Sequence, residues 1–302
     1  MPARLVDGAA HARAIRAELR LAVERLVSSG RPPRITVVQV GDDPASTVYV
    51  RNKQRAAEEV GFRSSVERLP RAAAQADLDQ LLDSLAETPG LDAILLQMPL
   101  PAHLDADRAL ARIPPRKDVD GLHPYNAGRL AQGTPTFVPA TPLGVLELLR
   151  REHLDPTGRH AVIVGRSRLV GRPLALLLLQ NHATVTIAHS RTRDLPGITR
   201  GADLLIAATG SPGLITGGHV KPGAIVIDVG ITRDPSTNRL IGDVDRPTVD
   251  PVASVITPVP GGVGPMTIAM LLVNTLRAYR QQAVLEPADR PTGGPIGPGR
   301  QA

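Results

Sequence analysis

Cysteine is absent from the 302 residues, and only three of the 35 basic side chains, at positions 53, 117 and 221, are lysines. Without cysteine there is no disulfide framework, no thiolate nucleophile and no cysteine-ligated zinc. Aromatic residues are also scarce, at 2% of the chain. Base-stacking platforms need aromatics, and phosphate tracking needs a concentrated basic stripe. Here the arginines are scattered, so the net charge of +6 does not by itself indicate nucleic acid. Scattered positive charge can still steer anionic small molecules. No apolar run reaches the roughly 18 residues of a membrane span, and Met1–Asp7 lacks the apolar core of a secretory signal. The expectation is a cytoplasmic protein with no membrane and no nucleic-acid partner.

Against this background the rare lysines stand out. Arginine stays charged, whereas a desolvated lysine can lose its proton near neutral pH and perform acid–base work. Lys53 follows Tyr49 by four residues, which places both on one face of a helix. The preceding Gly41-Asp42-Asp43-Pro44-Ala45-Ser46 reads as a turn into that helix. An aromatic ring beside a titratable amine suits a planar substrate, although a solvated lysine beside a half-buried tyrosine would show the same spacing.

Strand and helix patterns alternate along the chain. Helical spacing over 8–29 is followed by a strand at 34–40, a helix at 45–60, a weaker strand at 65–69, an amphipathic helix at 74–87 and a strand at 92–97. Residues 113–142 are rich in Pro, Gly, Asp and Asn and read as a long connection. A helix over 142–152 leads to strand-like runs at 161–164, 184–188, 203–208, 224–229 and 253–256, then to a helix over 266–283. The alternation implies parallel sheets with right-handed crossovers. Two α/β domains are expected. The first spans 1–140 and is completed by the helix 266–283. The second, Rossmann-like, spans 141–265. The Pro/Gly-rich segment 286–302 reads as a disordered tail.

The run Ala161–Pro173 is a strand, a loop bounded by Gly165 and Gly171, and a helix start with proline in its first turn. A pyrophosphate would suit that helix N-terminus. The six-residue glycine spacing departs from Gly-x-Gly-x-x-Gly, so an ordinary βα turn stays open on this segment alone. The next strand ends in His189-Ser190-Arg191-Thr192, where an acidic residue would mark a free ribose hydroxyl. A hydroxyl and an arginine there, with Arg166 from the first loop, suit a 2′-phosphate and therefore NADP. Gln97 ends an apolar strand, on the edge where such folds bind ligands. Lys117-Asp118-Val119-Asp120-Gly121 places two carboxylates in a loop, one of which could accept from a heterocycle. No compact ligand set indicates a metal. Pro258–Thr267 is dense in glycine and proline, as a ligand-approaching backbone or a hinge would be. Ser167 and Ser211 lack a nucleophile elbow.

Seven of these segments, in this order, resemble the bifunctional methylenetetrahydrofolate dehydrogenase/methenyltetrahydrofolate cyclohydrolase family. They are Gly41–Ser46 with Tyr49–Lys53, Gln97–Pro101, Lys117–Gly121, Tyr125–Leu130, Val164–Ser167, Lys221–Asp228 and Pro258–Thr267. The resemblance covers roughly residues 3–283. It implies oxidation of 5,10-methylenetetrahydrofolate with NADP+, followed by hydrolysis to 10-formyltetrahydrofolate, in a cleft between two domains. It implies Lys53 as the acid–base residue, Gln97 holding it, Tyr49 stacking on the folate and Asp120 binding the pterin. Val50, Arg51, Asn52, Met98, Pro99, Pro260, Gly261, Gly262, Val263 and Gly264 would complete the folate side. Gly165, Arg166, Ser167, Ser190, Arg191 and Ile231 would contact NADP. A homodimer through the cofactor domain is also implied. The chain departs from the family at Ala140, where a cysteine is common, and in its proline-rich tail. A dehydrogenase-only relative, or a non-catalytic NADP- or nucleic-acid-binding module, would share parts of this pattern.

Overall fold

A computed structural model describes residues 2–27 and 30–285, so the tail reading of 286–302 lies outside the described residues. The chain begins with a short strand, β1 (Arg4–Leu5), and a helix, α1 (Gly8–Val27). It continues through β2 (Arg34–Val40), α2 (Pro44–Glu59), β3 (Arg63–Leu69), α3 (Gln75–Glu87) and β4 (Ala93–Leu96). Strand β2 is buried on both faces, as a central parallel strand should be. It lies between β3 and β4, with Val37 opposite Val66 on one side and Leu95 on the other. Because the chain leaves β2 first toward β3 and returns to β4, the sheet reverses its order between β2 and β4. That is where open α/β sheets bind ligands.

Helices α4 (Ala106–Arg112), α5 (Pro124–Ala131) and α6 (Ala140–Arg151) then lead to the second sheet. Its elements are β5 (His160–Val164), α7 (Gly171–Gln180), β6 (Thr184–Ala188), α8 (Leu195–Thr199), β7 (Leu204–Ala207) and β8 (Ile225–Asp228). A small antiparallel hairpin, β9 (Thr232–Arg233) with β10 (Leu240–Ile241), precedes α9 (Arg246–Val249) and β11 (Val255–Ile256). The order β1-β11-β8-β7-β5-β6 is parallel throughout, with its own reversal between β5 and β7. The first residues of the chain thus pair with the last strand of the second sheet. The closing helix, α10 (Val263–Leu285), packs chiefly on α6 and α1. Its Met266, Met270 and Leu272 share one apolar core with Val37 of β2 and Ile163 of β5.

The expected long connection over 113–142 is more ordered than its composition suggests. Helix α5 starts there with Pro124 in its first turn and His123 as cap, whose Nδ1 accepts from Tyr125 N–H at 3.0 Å. Helix α4 is similarly capped by Asp105, which accepts from Asp107 and Arg108 N–H, both at 3.0 Å. Such short helices depend on their caps and too few turns exist to show a periodicity. Helix α6 begins at Ala140 rather than 142, with Pro142 in its first turn, where no N–H is needed. For the same reason α10 incorporates Gly264 and Pro265.

One buried carboxamide joins these parts. Asn274 Nδ2 of α10 donates to the Val119 carbonyl at 2.7 Å and to the Val138 carbonyl at 2.9 Å. Both acceptors lie in loops, the first held otherwise by a single parallel bridge between Asp118 and Ile94 of β4. Replacing Asn274 by Leu leaves two buried carbonyls without that donor. The unfolding free energy should fall by on the order of 2–4 kcal/mol, measured by urea denaturation. An unchanged midpoint would mean that packing alone holds these loops.

Candidate active site

The loop 117–121 is built from its own charges. Lys117 Nζ donates to the Ala86 carbonyl at 2.7 Å and the Thr88 carbonyl at 3.1 Å, closing the C-terminus of α3. Asp118 accepts from His123 N–H and from Asn126 Nδ2, each at 2.8 Å. Gly121, at φ +64°, passes so close to the backbone of Phe137 and Val138 that a Cβ would lie 2.9 Å from the Phe137 oxygen. With both neighbours committed to the scaffold, Asp120 is left facing a cavity of about 450 Å³.

Lys53 meets it there. Asp43 caps α2 by accepting from Ser46 N–H at 2.8 Å, and Pro44 occupies the first turn. The helix so started presents Tyr49 and Lys53 to the same cavity. Gln97 leaves β4 at the sheet's reversal point and accepts from Lys53 Nζ at 3.0 Å through Oε1. Its Nε2 donates to the Met98 carbonyl at 2.6 Å, so the amide can turn only its oxygen toward the lysine. Burial pushes the Lys53 pKa down, while the Asp120 carboxylate draws it partly back. Burial likewise raises Asp120, against the attraction of Lys53. Tyr49 is raised by burial and stays a neutral phenol, with Arg233 opposing. These are the conditions under which a lysine exchanges a proton instead of remaining a fixed charge.

A second cavity of about 540 Å³ adjoins the first and shares Tyr49, Ile231, Val263 and Gly264 with it. Asn52 and residues 260–264 line this second space, and Met98 lines the first. The remaining expected folate contacts are placed differently. Val50 is fully buried in the core, and Arg51 is exposed; neither they nor Pro99 line these two cavities. Residues that sequence reasoning passed over also reach the Lys53 cavity. Thr141 and Thr267, hydrogen-bonded to each other at 3.0 Å, and Leu169, Val170 and Val229 all line it. Their residue types carry no chemical signal in a sequence. Only the position of Leu169 and Val170, three and four residues after Arg166, could have suggested them.

At the cofactor end, Gly165 and Gly171 are demanded by the fold itself. A Cβ on Gly165 would lie 2.1 Å from the Ala208 oxygen, and one on Gly171 2.1 Å from the Gly165 oxygen. The backbone therefore folds tightly between β5 and α7, at the second sheet's reversal point. No side chain caps the α7 N-terminus, leaving it suited to a phosphate. Ser167 Oγ accepts from Val170 N–H at 3.1 Å, which fixes the loop. Arg166, Ser190 and Arg191 are exposed on the adjoining loops. No carboxylate follows β6 within its turn, so this donor set fits a dinucleotide with a phosphorylated ribose. The other end of the same loop, at Leu169 and Val170, reaches the cavity of Lys53. Ile231 lies at the junction of both cavities. No group of three or more potential metal-ligating side chains occurs among the described residues.

The tetrahydrofolate dehydrogenase/cyclohydrolase catalytic-domain model matches residues 6–120, and the corresponding NAD(P)-binding-domain model matches 139–283. The bifunctional protein FolD of Moorella thermoacetica is 53% identical over 281 residues, covering 93% of this chain and 100% of the relative. A crystal structure of the bifunctional FolD methylenetetrahydrofolate dehydrogenase/cyclohydrolase from Campylobacter jejuni is 46% identical, with a TM-score of 0.90, over 92% of this chain and 99% of that one. The Trypanosoma brucei methylenetetrahydrofolate dehydrogenase-cyclohydrolase, complexed with NADP cofactor and inhibitor, is 40% identical, with a TM-score of 0.90, over 94% and 99% of the two chains. Matched through both halves in order, and carrying the reversal-point loops described above, this chain belongs to the tetrahydrofolate dehydrogenase/cyclohydrolase family.

Proposed function

We propose that Lys53, oriented by Gln97 and biased by Asp120, handles the protons of the hydrolytic half of this enzyme's two reactions. The enzyme oxidises 5,10-methylenetetrahydrofolate to the methenyl cation and then hydrolyses it to 10-formyltetrahydrofolate. The observation that carries the reading is the desolvated amine held 3.0 Å from Gln97 in a cavity shared with Tyr49 and Asp120. NADP+, bound along Arg166, Ser167, Ser190 and Arg191, supplies the hydride acceptor for the first reaction. The chain's contribution to that step is to hold the folate carbon in place, with Tyr49 against the aromatic portion and Asp120 on the pterin. In the second reaction, neutral Lys53 accepts a proton from water as the oxygen bonds to the methenyl carbon. The bond from that carbon to N5 then breaks as the hydroxyl oxygen becomes the formyl carbonyl; N5 takes the proton held by Lys53, and the hydroxyl proton passes to solvent. A cationic substrate beside Lys53 lowers its pKa further, which favours the base form.

Residues 1–140 with helix 266–283 form the folate half in this reading, and 141–265 the cofactor half. A homodimer forms through the cofactor half. Exposed Leu179 on α7 and Ile187 on the edge strand β6 support a second copy there. The cysteine-free sequence is compatible with a cytoplasmic site of action, and no described helix is long and apolar enough to cross a membrane.

Replacing Lys53 by Met should slow hydrolysis of the methenyl compound at least about a hundredfold, followed by loss of its chromophore. Hydrolysis at the full rate would remove Lys53 from the mechanism. In the intact enzyme the hydrolytic rate at saturating substrate should rise with pH as the amine deprotonates, with a midpoint below the ordinary lysine value of 10.5. Asp120→Asn removes the charge that pulls this pKa upward, so the midpoint should move to lower pH. A shift in the opposite direction would contradict the coupling. Arg166→Ala should raise the Michaelis constant for NADP+ about tenfold, the loss of one charge-assisted contact, with that for NAD+ little altered. Equal effects on both would argue against a 2′-phosphate contact.

A further inference from the structure

Tyr49, Lys53, Gln97 and Asp120 each have a task in the reading above. Thr141 and Thr267 line the same cavity and have none. Their hydrogen bond nevertheless has a direction. A hydroxyl carries one hydrogen and two acceptor sites. Thr267 Oγ1 donates to the Val263 carbonyl of its own helix, α10, at 3.3 Å, the back-bond common for a helical threonine. Its single hydrogen is then spent, so in the 3.0 Å contact with Thr141 it accepts and Thr141 donates. The Thr141 hydroxyl has no hydrogen left for the cavity. Toward Lys53 and the substrate it can act only as an acceptor.

Neighbouring acceptors are already engaged. Gln97 Oε1 holds the Lys53 amine at 3.0 Å. The Pro139 carbonyl accepts from Leu143 N–H at 3.1 Å. The Asp120 carboxylate is acted on by the N–H of Ala140, the residue before Thr141, and is assigned to the pterin. Hydrolysis sets a matching demand. A water attacking the methenyl carbon aims a lone pair at that carbon and one hydrogen at neutral Lys53. Its second hydrogen needs an acceptor that does not compete for the proton. An alcohol oxygen accepts the hydrogen bond yet is far too weak a base to take the proton, so the proton that leaves is the one aimed at Lys53. The hydride step consumes no water and makes no demand on this oxygen.

We infer that Thr141 holds the attacking water of the hydrolytic reaction, accepting a hydrogen bond from the hydrogen that Lys53 does not remove, while Thr267 fixes the Thr141 hydroxyl in that role. The inference rests on the reading of Lys53 as the base and adds the second contact that orients the water. No proton passes to Thr141. Lys53 takes one proton of the water as the new bond to carbon forms. The other stays on the adduct as a hydroxyl hydrogen-bonded to Thr141, until the formyl carbonyl forms and that proton leaves to solvent.

The test measures both reactions in the intact enzyme, Thr141→Val and Thr141→Ser. Valine keeps the shape of threonine, removes the lone pairs and leaves Thr267 its bond to Val263. In Thr141→Val the ratio of hydrolytic to dehydrogenase kcat should fall about three- to tenfold, the worth of one neutral hydrogen bond. The Michaelis constant for the methenyl compound should move by less than about twofold, as for an interaction made with the water and not with the bound substrate. The methenyl chromophore should then build up during oxidation of the methylene substrate. Serine restores the acceptor and should restore the ratio. The pH midpoint of hydrolysis should stay in place in both variants, because Thr141 carries no charge. Thr141→Ala takes the place of the valine variant if valine prevents folding. An undiminished ratio in Thr141→Val, a loss that serine does not repair, or a loss carried by the Michaelis constant overturns the inference. Full-rate hydrolysis by Lys53→Met overturns both this inference and the base reading. Lost hydrolysis in Lys53→Met with an undiminished ratio in Thr141→Val overturns this inference alone.

Discussion

The Asn274 carboxamide ties the closing helix to both loops that flank the Lys53 cavity. Its two buried hydrogen bonds reach Val119, one residue before Asp120, and Val138, two residues before the start of α6. The first segment touches the first sheet only through the bridge from Asp118 to Ile94, and both segments form walls of the Lys53 cavity. A buried carbonyl that loses its donor costs more than a hydrogen bond gains, so the helix and both loops are held in one mutual register. The position of the Asp120 carboxylate relative to the Lys53 amine is thereby decided at a distance, by a residue that touches neither.

The chemistry of the site follows from an economy of charge. Lys117 is consumed by the carbonyls ending α3, and Lys221 pairs with Asp203 at 2.6 Å. Lys53 alone of the three lysines lines the cavity shared with Tyr49, Gln97 and Asp120. An arginine in its place would keep its proton under all working conditions. For this half-buried lysine, burial pushes the pKa down and the Asp120 carboxylate draws it partly back. Gln97 contributes direction without charge, and Asp120 contributes charge without contact.

Much of the architecture was legible in the sequence. Alternating strand and helix patterns led to two parallel sheets, and an amide at the end of an apolar strand pointed to a ligand edge. Tyr49 and Lys53 were legible because a four-residue helical spacing fixes their common face. Val50 and Arg51 show the limit of reading a motif linearly. Consecutive helical residues point about 100° apart, so of the run 49–53, Tyr49, Asn52 and Lys53 line the two cavities, while Val50 enters the core. The helices α4 and α5 escaped because caps rather than periodicity define them. The Thr141–Thr267 pair escaped because its partners are 126 positions apart and meet only after both helix starts have converged. Roles for individual residues came from the family resemblance, since spacing alone left a solvated lysine open.

The separation between Val119 and Asn274 has a consequence for how the protein comes into being. The two are 155 residues apart, and every strand of the second sheet except β1 is made between them. A ribosome delivers the chain from its N-terminus, so β2, β3 and β4 emerge long before the helix that fastens the Asp120 loop. Until α10 arrives, the nascent chain lacks the wall that Val263, Gly264 and Thr267 give the cavity. The second sheet can form while the first still waits for its last side. The enclosure of Lys53 is therefore among the last features completed during synthesis, and an interrupted chain would carry the motif without its full cavity.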